Sequence, residues 1–297
     1  MAIDDIDFKL LDILKRDART PASKIAEELG ISRMTVKNRM KRLEDMGVIR
    51  QYTVMIGVKP LVSAPAQVRK LERVKSGVPG FDNLCDGGLP KSTTTLLMGP
   101  PGAGKTIFGF QFLYYGYKDY GEPGALIALQ DSPSDLLTFA ATLGMDLDTN
   151  KITIVSPFSP ETMVHERADY ETMALNFEKS IEEAILQVGA ERVVIDPITI
   201  FLSRFEDVYT RRREIYLLNN FLRSKGCTTI MIAEDYNKSE YALETYVAQN
   251  VIVMRYGVEG NHRKKELEIL KMFATDHSRG FHPYWITKNG LNIEPLT

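Results

Sequence analysis

The stretch that decides the fold is Gly99-Pro100-Pro101-Gly102-Ala103-Gly104-Lys105-Thr106. It fits the pattern GxxxxGK[ST] and lies between the apolar run Thr93 to Met98 and a helical stretch, which is the context that this motif requires. Its glycines let backbone N–H groups surround phosphate oxygens, and the start of the following helix adds positive potential. Lys105 is expected to bridge the outer phosphates, and the hydroxyl of Thr106 to coordinate magnesium. The stretch therefore predicts a P-loop, continued by Ile107, that binds ATP with Mg²⁺.

The residues after Val74 alternate β-type apolar runs with helical stretches, which favours a mainly parallel sheet with crossover helices. The predicted parallel strands are Thr93 to Met98, Ala125 to Leu129, Ile152 to Val155, Arg192 to Ile195, Thr228 to Ala233 and Val251 to Arg255. Short strands joined by turns are predicted to extend the sheet in antiparallel fashion at Glu266 to Phe273, Tyr284 to Thr287 and Leu291 to Ile293. The predicted fold class of this part is α/β.

A second element of the phosphate site is Val193-Val194-Ile195-Asp196, an apolar strand that delivers a carboxylate at its C-terminal end. An apolar run followed by Asp often marks only the end of a strand. Because the P-loop is also present, we predict that Asp196 is the magnesium partner of Thr106.

Several stretches around the P-loop carry a family resemblance. They are Ser76-Gly77-Val78-Pro79-Gly80-Phe81-Asp82, Gly87-Gly88-Leu89-Pro90, Val258-Glu259-Gly260, Leu267-Glu268-Ile269-Leu270-Lys271 and Thr275-Asp276-His277. Together they resemble the KaiC-like ATPases of the RecA superfamily, in their archaeal type. The resemblance implies a RecA-like P-loop NTPase core, ATP with Mg²⁺, and a homo-oligomeric ring, usually hexameric, with nucleotide held between neighbours. It also aligns His277 with a residue that approaches the nucleotide across the interface, although a solitary His near a strand end is often structural.

Two positions depart from the family pattern in a way that bears on hydrolysis. Where the family commonly has paired glutamates after the second strand, this chain has Gln130-Asp131, and a glutamine positions water without acting as a base. Where the family has Lys-x-Arg reaching into the neighbour's site, this chain has Lys271-Met272-Phe273. An arginine finger is worth roughly 10³ to 10⁵ in rate where it acts, so we predict slow hydrolysis of ATP to ADP and phosphate. Lys105, Gln130, Asp131 and Lys271 are the predicted catalytic residues.

The first 58 residues are predicted to form a small domain of three short helices and a hairpin. Thr20 is expected to cap the second helix, with Pro21 as its first residue, and Ser32 is expected to cap the third. The run Val48 to Ile56 is β-rich, as a wing would be. Four stretches, Ile6 to Leu11, Asp17 to Arg19, Gly30 to Ser32 and Arg39 to Leu43, resemble the winged helix-turn-helix of the Lrp/AsnC family.

The third helix of this domain has a charge pattern typical of a phosphate-facing surface. Ser32 to Arg42 holds five basic residues and no acid, although the net charge of the chain is −2. We therefore predict binding of double-stranded DNA, with Met34 as an apolar contact. The predicted DNA contacts are Arg33, Thr35, Lys37, Asn38 and Lys41 on the helix and Arg50 on the wing. A protein-interaction module with a solvated basic helix is the alternative interpretation.

Length and composition set the domain organisation. With 297 residues, 44% of them hydrophobic, the chain has room for a winged helix-turn-helix domain at 1–58, a linker at 59–73 and an ATPase domain at 74–297. The isolated Cys85 and Cys227 suggest neither a disulfide framework nor a zinc site. The acidic beginning of the chain and the lack of a long apolar run predict no signal peptide and no membrane contact, and hence a cytoplasmic protein.

Three functions are compatible with these features. The leading hypothesis is a transcription regulator whose ATPase domain uses ATP to switch or assemble, with slow hydrolysis. The first alternative is a DNA-stimulated RecA/RadA-type ATPase of recombination or repair, in which Arg204 and Arg211 to Arg213 face a central channel. The second is a signalling ATPase that phosphorylates itself, where Thr245-Tyr246 occupies the matching stretch.

Overall fold

A computed structural model describes residues 4–16, 20–46, 48–49, 71–158, 170–234, 245, 247–259 and 262–294. The chain divides into two compact units, Met1–Val68 and Arg69–Thr297. Most of the predicted linker lies outside the described residues, and the predicted domain limits at residues 58 and 74 stay predictions. Among the described residues, no helix is long and apolar enough to cross a membrane.

The described part of the first unit is a cluster of helices around a small core. The helices are α1 (Asp5–Arg16), α2 (Ala22–Leu29) and α3 (Arg33–Asp45). Leu10 of α1, Ile25 of α2 and Val36 of α3 are fully buried where the three apolar faces meet. Ile49 packs against the same core. Arg50 and the rest of the predicted wing lie outside the described residues.

Local capping chemistry sets where α2 and α3 begin. Ser32 is the N-cap of α3, as predicted, and its Oγ accepts a hydrogen bond from the backbone N–H of Thr35 at 3.0 Å. The prediction for α2 is wrong by one residue. Pro21 is itself the N-cap, in an extended conformation, and the helix begins at Ala22. Thr20 is therefore not the cap.

The second unit is built on a large sheet. Its strands are β1 (Arg73–Val74), β2 (Leu89–Pro90), β3 (Thr94–Met98), β4 (Gly124–Ala128), β5 (Ile152–Val155), β6 (Arg192–Asp196), β7 (Thr228–Ala233), β8 (Asn250–Glu259), β9 (His262–Lys271), β10 (His282–Thr287) and β11 (Gly290–Ile293). Among the described residues, β1 pairs with β2, and the other nine strands have the order β11-β10-β9-β8-β3-β7-β6-β4-β5. The six from β8 to β5 are parallel and the remaining three are antiparallel, which confirms the predicted division.

Helices cover both faces of the parallel strands. They are α4 (Lys105–Tyr120), α5 (Pro133–Thr142), α6 (Tyr170–Val188), α7 (Ile198–Leu202) and α8 (Val208–Ser224). α4 and α5 pack on one face, where Leu97 points, together with residues of β10 and β11. α6, α7 and α8 pack on the other face, where Leu96 points. Because both faces are covered, the parallel strands read as continuous apolar runs.

Strand β9 is longer than the sequence predicts and ends earlier. It begins at His262 and ends at Lys271, whereas the prediction ran from Glu266 to Phe273. Its first half pairs with the second half of β8 as a long hairpin, with Glu259 opposite His262. Residues 262–266 are polar, so a search for apolar runs does not detect this part of the strand. Phe273 lies beyond the strand in a turn.

Candidate functional site

The P-loop forms the connection between β3 and α4, as predicted. It leaves the sheet at Gly99, where a Cβ would lie 2.4 Å from the carbonyl oxygen of Met254. It enters the helix through Gly104, which has φ +99 and where a Cβ would lie 2.7 Å from Cδ1 of Ile286. At both ends of the loop, therefore, a larger residue would collide with a neighbouring strand.

Lys105 is the first residue of α4 and its side chain is buried inside the loop. Its Nζ donates to the carbonyl of Gly99 at 2.7 Å and to that of Pro100 at 3.1 Å. Burial lowers the pKa of this ammonium group, and the carboxylates of Asp196 and Glu234 oppose the shift. The ammonium group is thus held by two carbonyl groups of the loop that the motif assigns to phosphate binding.

Thr106 and Asp196 lie together, as the magnesium prediction requires. The hydroxyl of Thr106 donates to Oδ2 of Asp196 at 2.7 Å, from the first turn of α4 to the end of β6. Burial raises the pKa of Asp196 to about 6, against the lowering effects of Thr106 and Lys105. A hydroxyl and a carboxylate oxygen are ligands that Mg²⁺ prefers, so these two side chains fit the ion that P-loop ATPases use. Their role as metal ligands stays a prediction.

Gln130 and Asp131 lie just beyond β4, on the same edge of the sheet. Ala128, the last residue of β4, is in register with Asp196, so the two polar residues follow directly from that level. Both are exposed. The charge of Asp131 is among those that raise the pKa of Asp196, after the effect of burial. Their role in catalysis stays a prediction.

The segment Lys271 to His277 begins at a different edge of the sheet from the P-loop. Lys271 pairs with Val251, near the amino end of β8, and the N–H of Phe273 donates to Oδ1 of Asn250, the first residue of that strand. The amino ends of parallel strands are at the edge of the sheet opposite the P-loop. Nδ1 of His277 is 2.9 Å from the carbonyl oxygen of Ser278. The structure therefore does not bring Lys271 to the P-loop of the same chain, and the role of His277 at a nucleotide stays a prediction.

The predicted DNA-facing side of α3 is exposed. Arg33, Lys37, Asn38 and Lys41 are exposed, and Met34 beside them keeps 65% of its surface. Thr35 is partly buried, and its hydroxyl is 2.8 Å from Oγ of Ser32 in the helix cap. The predicted contact residues thus share the solvent side of the helix, with Thr35 at its margin.

Two of the five basic residues in this stretch are tied to acids at the start of α1, to Asp4 just before the helix and to Asp7 within it. Arg39 donates to Asp4 and Asp7 at 2.8 Å, and Arg42 donates to the other oxygen of Asp7. The side chain of Asp7 is fully buried between them. The basic charge available at the exposed side is therefore carried by Arg33, Lys37 and Lys41.

Comparisons with known proteins agree with this geometry. The family model described as KaiC, an ATPase model, matches residues 74–297. This chain belongs to the KaiC family. A second model, described as winged helix-turn-helix DNA-binding, matches residues 3–50. Together with the parallel sheet, the two matches confirm the predicted RecA-like α/β fold with a small N-terminal winged helix-turn-helix. The narrower Lrp/AsnC and archaeal types stay predictions.

Individual relatives support the same assignment. The chain is 34% identical over 239 residues to the circadian clock oscillator protein KaiC of Parathermosynechococcus lividus, covering 78% of this chain and 44% of the relative. It is 36% identical over 240 residues to the protein of that name from Prochlorococcus marinus subsp. pastoris, covering 76% and 46%. The chain thus spans about half the length of these curated relatives. Among solved structures, the KaiC-like protein PH0186 from Pyrococcus horikoshii OT3 matches with TM-score 0.67 and 35% identity, covering 76% of this chain and 100% of that one.

Sequence reasoning missed one acid at the P-loop edge of the sheet. Glu234 directly follows β7, which lies between β3 and β6, and its side chain is exposed. Its charge acts on both Lys105 and Asp196, raising the pKa of each. The signal was available, since Ile230 to Glu234 is an apolar strand followed by an acid, as Val193 to Asp196 is.

Proposed function

We propose that this KaiC-family chain is a DNA-binding transcription regulator that ATP switches by assembling several copies into a ring. The observation that carries the proposal is the presence, in one chain, of a P-loop site and a helix that exposes Arg33, Lys37 and Lys41. ATP is the proposed ligand of residues 99–107, with Mg²⁺ held by Thr106 and Asp196. Double-stranded DNA is the proposed ligand of α3.

The position of Lys271 to His277 supports assembly. Lys271 and Phe273 lie at the sheet edge opposite the P-loop of their own chain, so this segment would contribute to a nucleotide site where a second copy brings its P-loop to it. A contact between different surfaces of two copies closes into a ring when the rotation permits. We propose a homo-oligomeric ring, hexameric as in the resemblance, with one nucleotide between neighbouring copies.

Assembly would control DNA occupancy through the number of linked helices. One α3 offers three exposed cations, so a single copy would bind DNA weakly at physiological salt. Linking several copies raises apparent affinity by about 10² to 10⁴ through effective concentration. ATP at about 1,000 times its dissociation constant stabilises the state that binds it by about 4 kcal/mol, which is enough to drive assembly.

Slow hydrolysis fits this role, because it leaves the ATP-bound assembly time to act. Gln130 lies where the family has a glutamate, and Phe273, 54% exposed, lies where it has an arginine. The exposed phenyl ring offers no positive charge to a transferring phosphoryl group. ATP would thus serve mainly as the assembling ligand and its conversion to ADP as a slow reset.

Mass measurement of the assembly tests the switch. The full chain is measured without nucleotide, with ADP and with ATP plus Mg²⁺, and again as Lys105→Ala. We expect a ring with ATP, smaller species without nucleotide, and no ATP response in Lys105→Ala. A mass that is the same in all conditions would contradict the proposal.

DNA binding is tested on the same full chain by salt titration. Removal of one phosphate contact by Lys37→Ala should weaken DNA binding across sequences and reduce the slope of log K against log salt by about 1. Lys24→Ala, a change of an exposed lysine on α2, is the matched control and should leave the slope unchanged. Equal slopes in the two variants would argue for a protein-interaction role of α3.

A second candidate function, a DNA-stimulated ATPase, rests on the exposed side of α8. Tyr209, Arg212, Arg213 and Tyr216 lie there at helical spacing. Arg213 pairs with Glu214 at 3.7 Å, and the other two arginines of that prediction also have partners within the chain. Arg204 lies over the ring of Phe158 at 4.7 Å, and Nε of Arg211 donates to the carbonyl of Phe205 at 2.7 Å. Hydrolysis that DNA accelerates many-fold would favour this candidate over the regulator.

A further inference from the structure

Two side chains of the antiparallel strands hold consecutive carbonyl groups of the P-loop. Nζ of Lys265, on β9, donates to the carbonyl of Gly102 at 2.9 Å. The hydroxyl of Tyr284, on β10, donates to the carbonyl of Ala103 at 2.7 Å. These residues are 163 and 181 positions away from their partners along the chain, and neither belongs to the P-loop motif.

The two contacts fix the direction of the N–H groups that follow. In a planar trans peptide the C=O of one residue and the N–H of the next point in opposite directions. When Lys265 and Tyr284 hold the carbonyls of Gly102 and Ala103 outward, the N–H groups of Ala103 and Gly104 point to the inside of the loop. The N–H of Ala103 does reach inward, since it is 3.3 Å from the carbonyl oxygen of Pro100.

The ammonium group of Lys105 also lies on the inside of the loop. Nζ of Lys105 donates to the same Pro100 carbonyl, at 3.1 Å. The N–H of Ala103 and the ammonium group of Lys105 therefore converge on one point. Convergent N–H and ammonium donors make an anion site, and their affinity for a phosphate depends on how well they are already oriented.

Each of the two side chains is itself held in place. Tyr284 keeps 4% of its surface and belongs to the core between α4 and the sheet, so its hydroxyl has little freedom. Lys265 lies over the ring of Tyr256, with Nζ 4.9 Å from the ring centre. Ile286, two residues after Tyr284 on the same strand, contacts the loop at Gly104. The antiparallel strands thus form a support on which the P-loop rests.

We propose that Lys265 and Tyr284 are positioning residues for nucleotide phosphates, which act by orienting the N–H groups of Ala103 and Gly104. The inference rests on the proposed ATP site at residues 99–106 and adds two residues to it, which act on the phosphates through carbonyl groups of the loop. Because the interaction is equally present in the ground state and in the transition state, its loss raises KM and leaves kcat nearly unchanged.

Substitutions that remove only the donor test this proposal. Tyr284→Phe removes the hydroxyl and keeps the ring, and the dissociation constant for ATP should rise about fivefold to tenfold, as expected for one lost hydrogen bond in a buried place. Lys265→Met should raise it about threefold, because Lys265 is less buried. Lys265→Arg keeps a donor within reach of Gly102 and should restore most of the affinity.

Matched controls separate positioning from folding. Tyr117→Phe makes the same chemical change in a tyrosine that packs on the same core, and Lys264→Met removes the neighbouring lysine of β9. Thermal midpoints without nucleotide are measured for every variant. We expect weaker ATP binding in Tyr284→Phe and Lys265→Met alone, with kcat retained.

The outcomes distinguish this inference from the proposed ATP site. If Tyr284→Phe and Lys265→Met lower the thermal midpoint but bind ATP as the parent chain does, the two residues serve folding only and the inference is wrong. If Lys105→Ala also leaves ATP binding unchanged, the proposed ATP site itself is wrong.

Discussion

The P-loop and the segment that begins with Lys271 were both expected to face nucleotide, yet the structure places the P-loop and Lys271 at opposite edges of one sheet. Around the P-loop, Lys105 donates a hydrogen bond to a carbonyl of the loop, and Thr106 donates one to Asp196. Around Lys271, the neighbours are the amino end of β8 and the turn after β9. In the proposed ring, this difference means that one chain would supply the phosphate and metal half of one site and, separately, the other half of a site on a different copy.

The two regions also differ in the hydrogen bonds that hold them in place. The P-loop rests on strands β9 and β10 and on α4. The Lys271 segment is fastened to residues at the start of the second unit, where Arg73 donates to Oγ1 of Thr275 at 2.6 Å and the N–H of Ser278 donates to the carbonyl of Leu84 at 2.8 Å. Each half is therefore ordered by its own contacts.

Restoring the family residues on the Lys271 side should give the largest change. Phe273→Arg places a cation on an exposed turn, where it costs little stability, and should raise kcat for ATP by about 10³-fold, the lower end of an arginine finger's range. Gln130→Glu added to it should raise kcat further by supplying a base. The measurement is phosphate release under saturating ATP. Phe273→Lys is the control for charge alone and should give a smaller increase. Unchanged rates in all variants would mean that this turn does not reach a nucleotide.

Mixing two inactive variants should show that the halves belong to different copies. Lys105→Ala removes the cation from the P-loop and should weaken ATP binding about 100-fold, while Lys271→Ala leaves the P-loop intact. A Lys271→Ala chain keeps an intact P-loop, and a Lys105→Ala chain keeps an intact Lys271 segment. In a mixed ring, a site is complete where these two intact parts meet. About a quarter of the parent turnover should return on mixing in equal amounts. No recovery above the two variants measured separately would contradict the division.

The P-loop half contains the buried carboxylate of Asp196, and the effect of its charge on the free energy of unfolding is measurable. Because the folded-state pKa of Asp196 is about 6, above its ordinary value of 3.8, the stability linked to its protonation is present at low pH and is lost as pH rises through 6. In chelator at pH 7.5, Asp196→Asn should therefore be more stable than the parent by about 1 to 3 kcal/mol. At pH 5 the difference should fall to about half. Urea unfolding at the two pH values checks this. A parent chain that is the more stable at pH 7.5 would mean that burial does not disfavour the carboxylate.

The parts of the molecule that were predictable from sequence are those with a local signal. The P-loop motif and the apolar run ending in Asp196 are each contiguous, and parallel strands buried on both faces read directly as apolar runs. Phe273 was wrongly placed in a strand, because the polar residues 262–266 have no apolar pattern that would mark the true start of β9. The pairing with β8 shows that the strand lies farther toward the amino end.

Contacts between distant parts of the chain had no such signal. The ties from Asp7 to Arg39 and Arg42 span 32 and 35 residues, and they reduce a basic cluster of five to three exposed cations. Lys265 and Tyr284 reach the P-loop only because the antiparallel strands fold back beside it. Side-chain identity alone cannot indicate such partners, since a lysine on a strand is usually solvated.

The smallest expected effect concerns the attachment of the Lys271 segment. Oγ1 of Thr275 accepts from Arg73 and donates to the carbonyl of Phe273 at 2.8 Å, so one hydroxyl joins the turn to β1. Thr275→Val keeps the shape and removes both bonds, and it should raise the concentration needed for ATP-driven assembly about fivefold, in line with about 1 kcal/mol.

Thr287→Val is the matched control for that change. Its hydroxyl donates to the carbonyl of Gly290 at 3.1 Å in the turn between β10 and β11, away from the Lys271 segment. Sedimentation of both variants across a concentration series, with ATP affinity measured in parallel on dilute protein, separates assembly from nucleotide binding. If Thr275→Val assembles as the parent does, the fastening of this segment plays no part in presenting it to a neighbour. If Thr275→Val instead weakens ATP binding in the dilute chain, the two halves are coupled within one copy and the division between them is less complete than the geometry indicates.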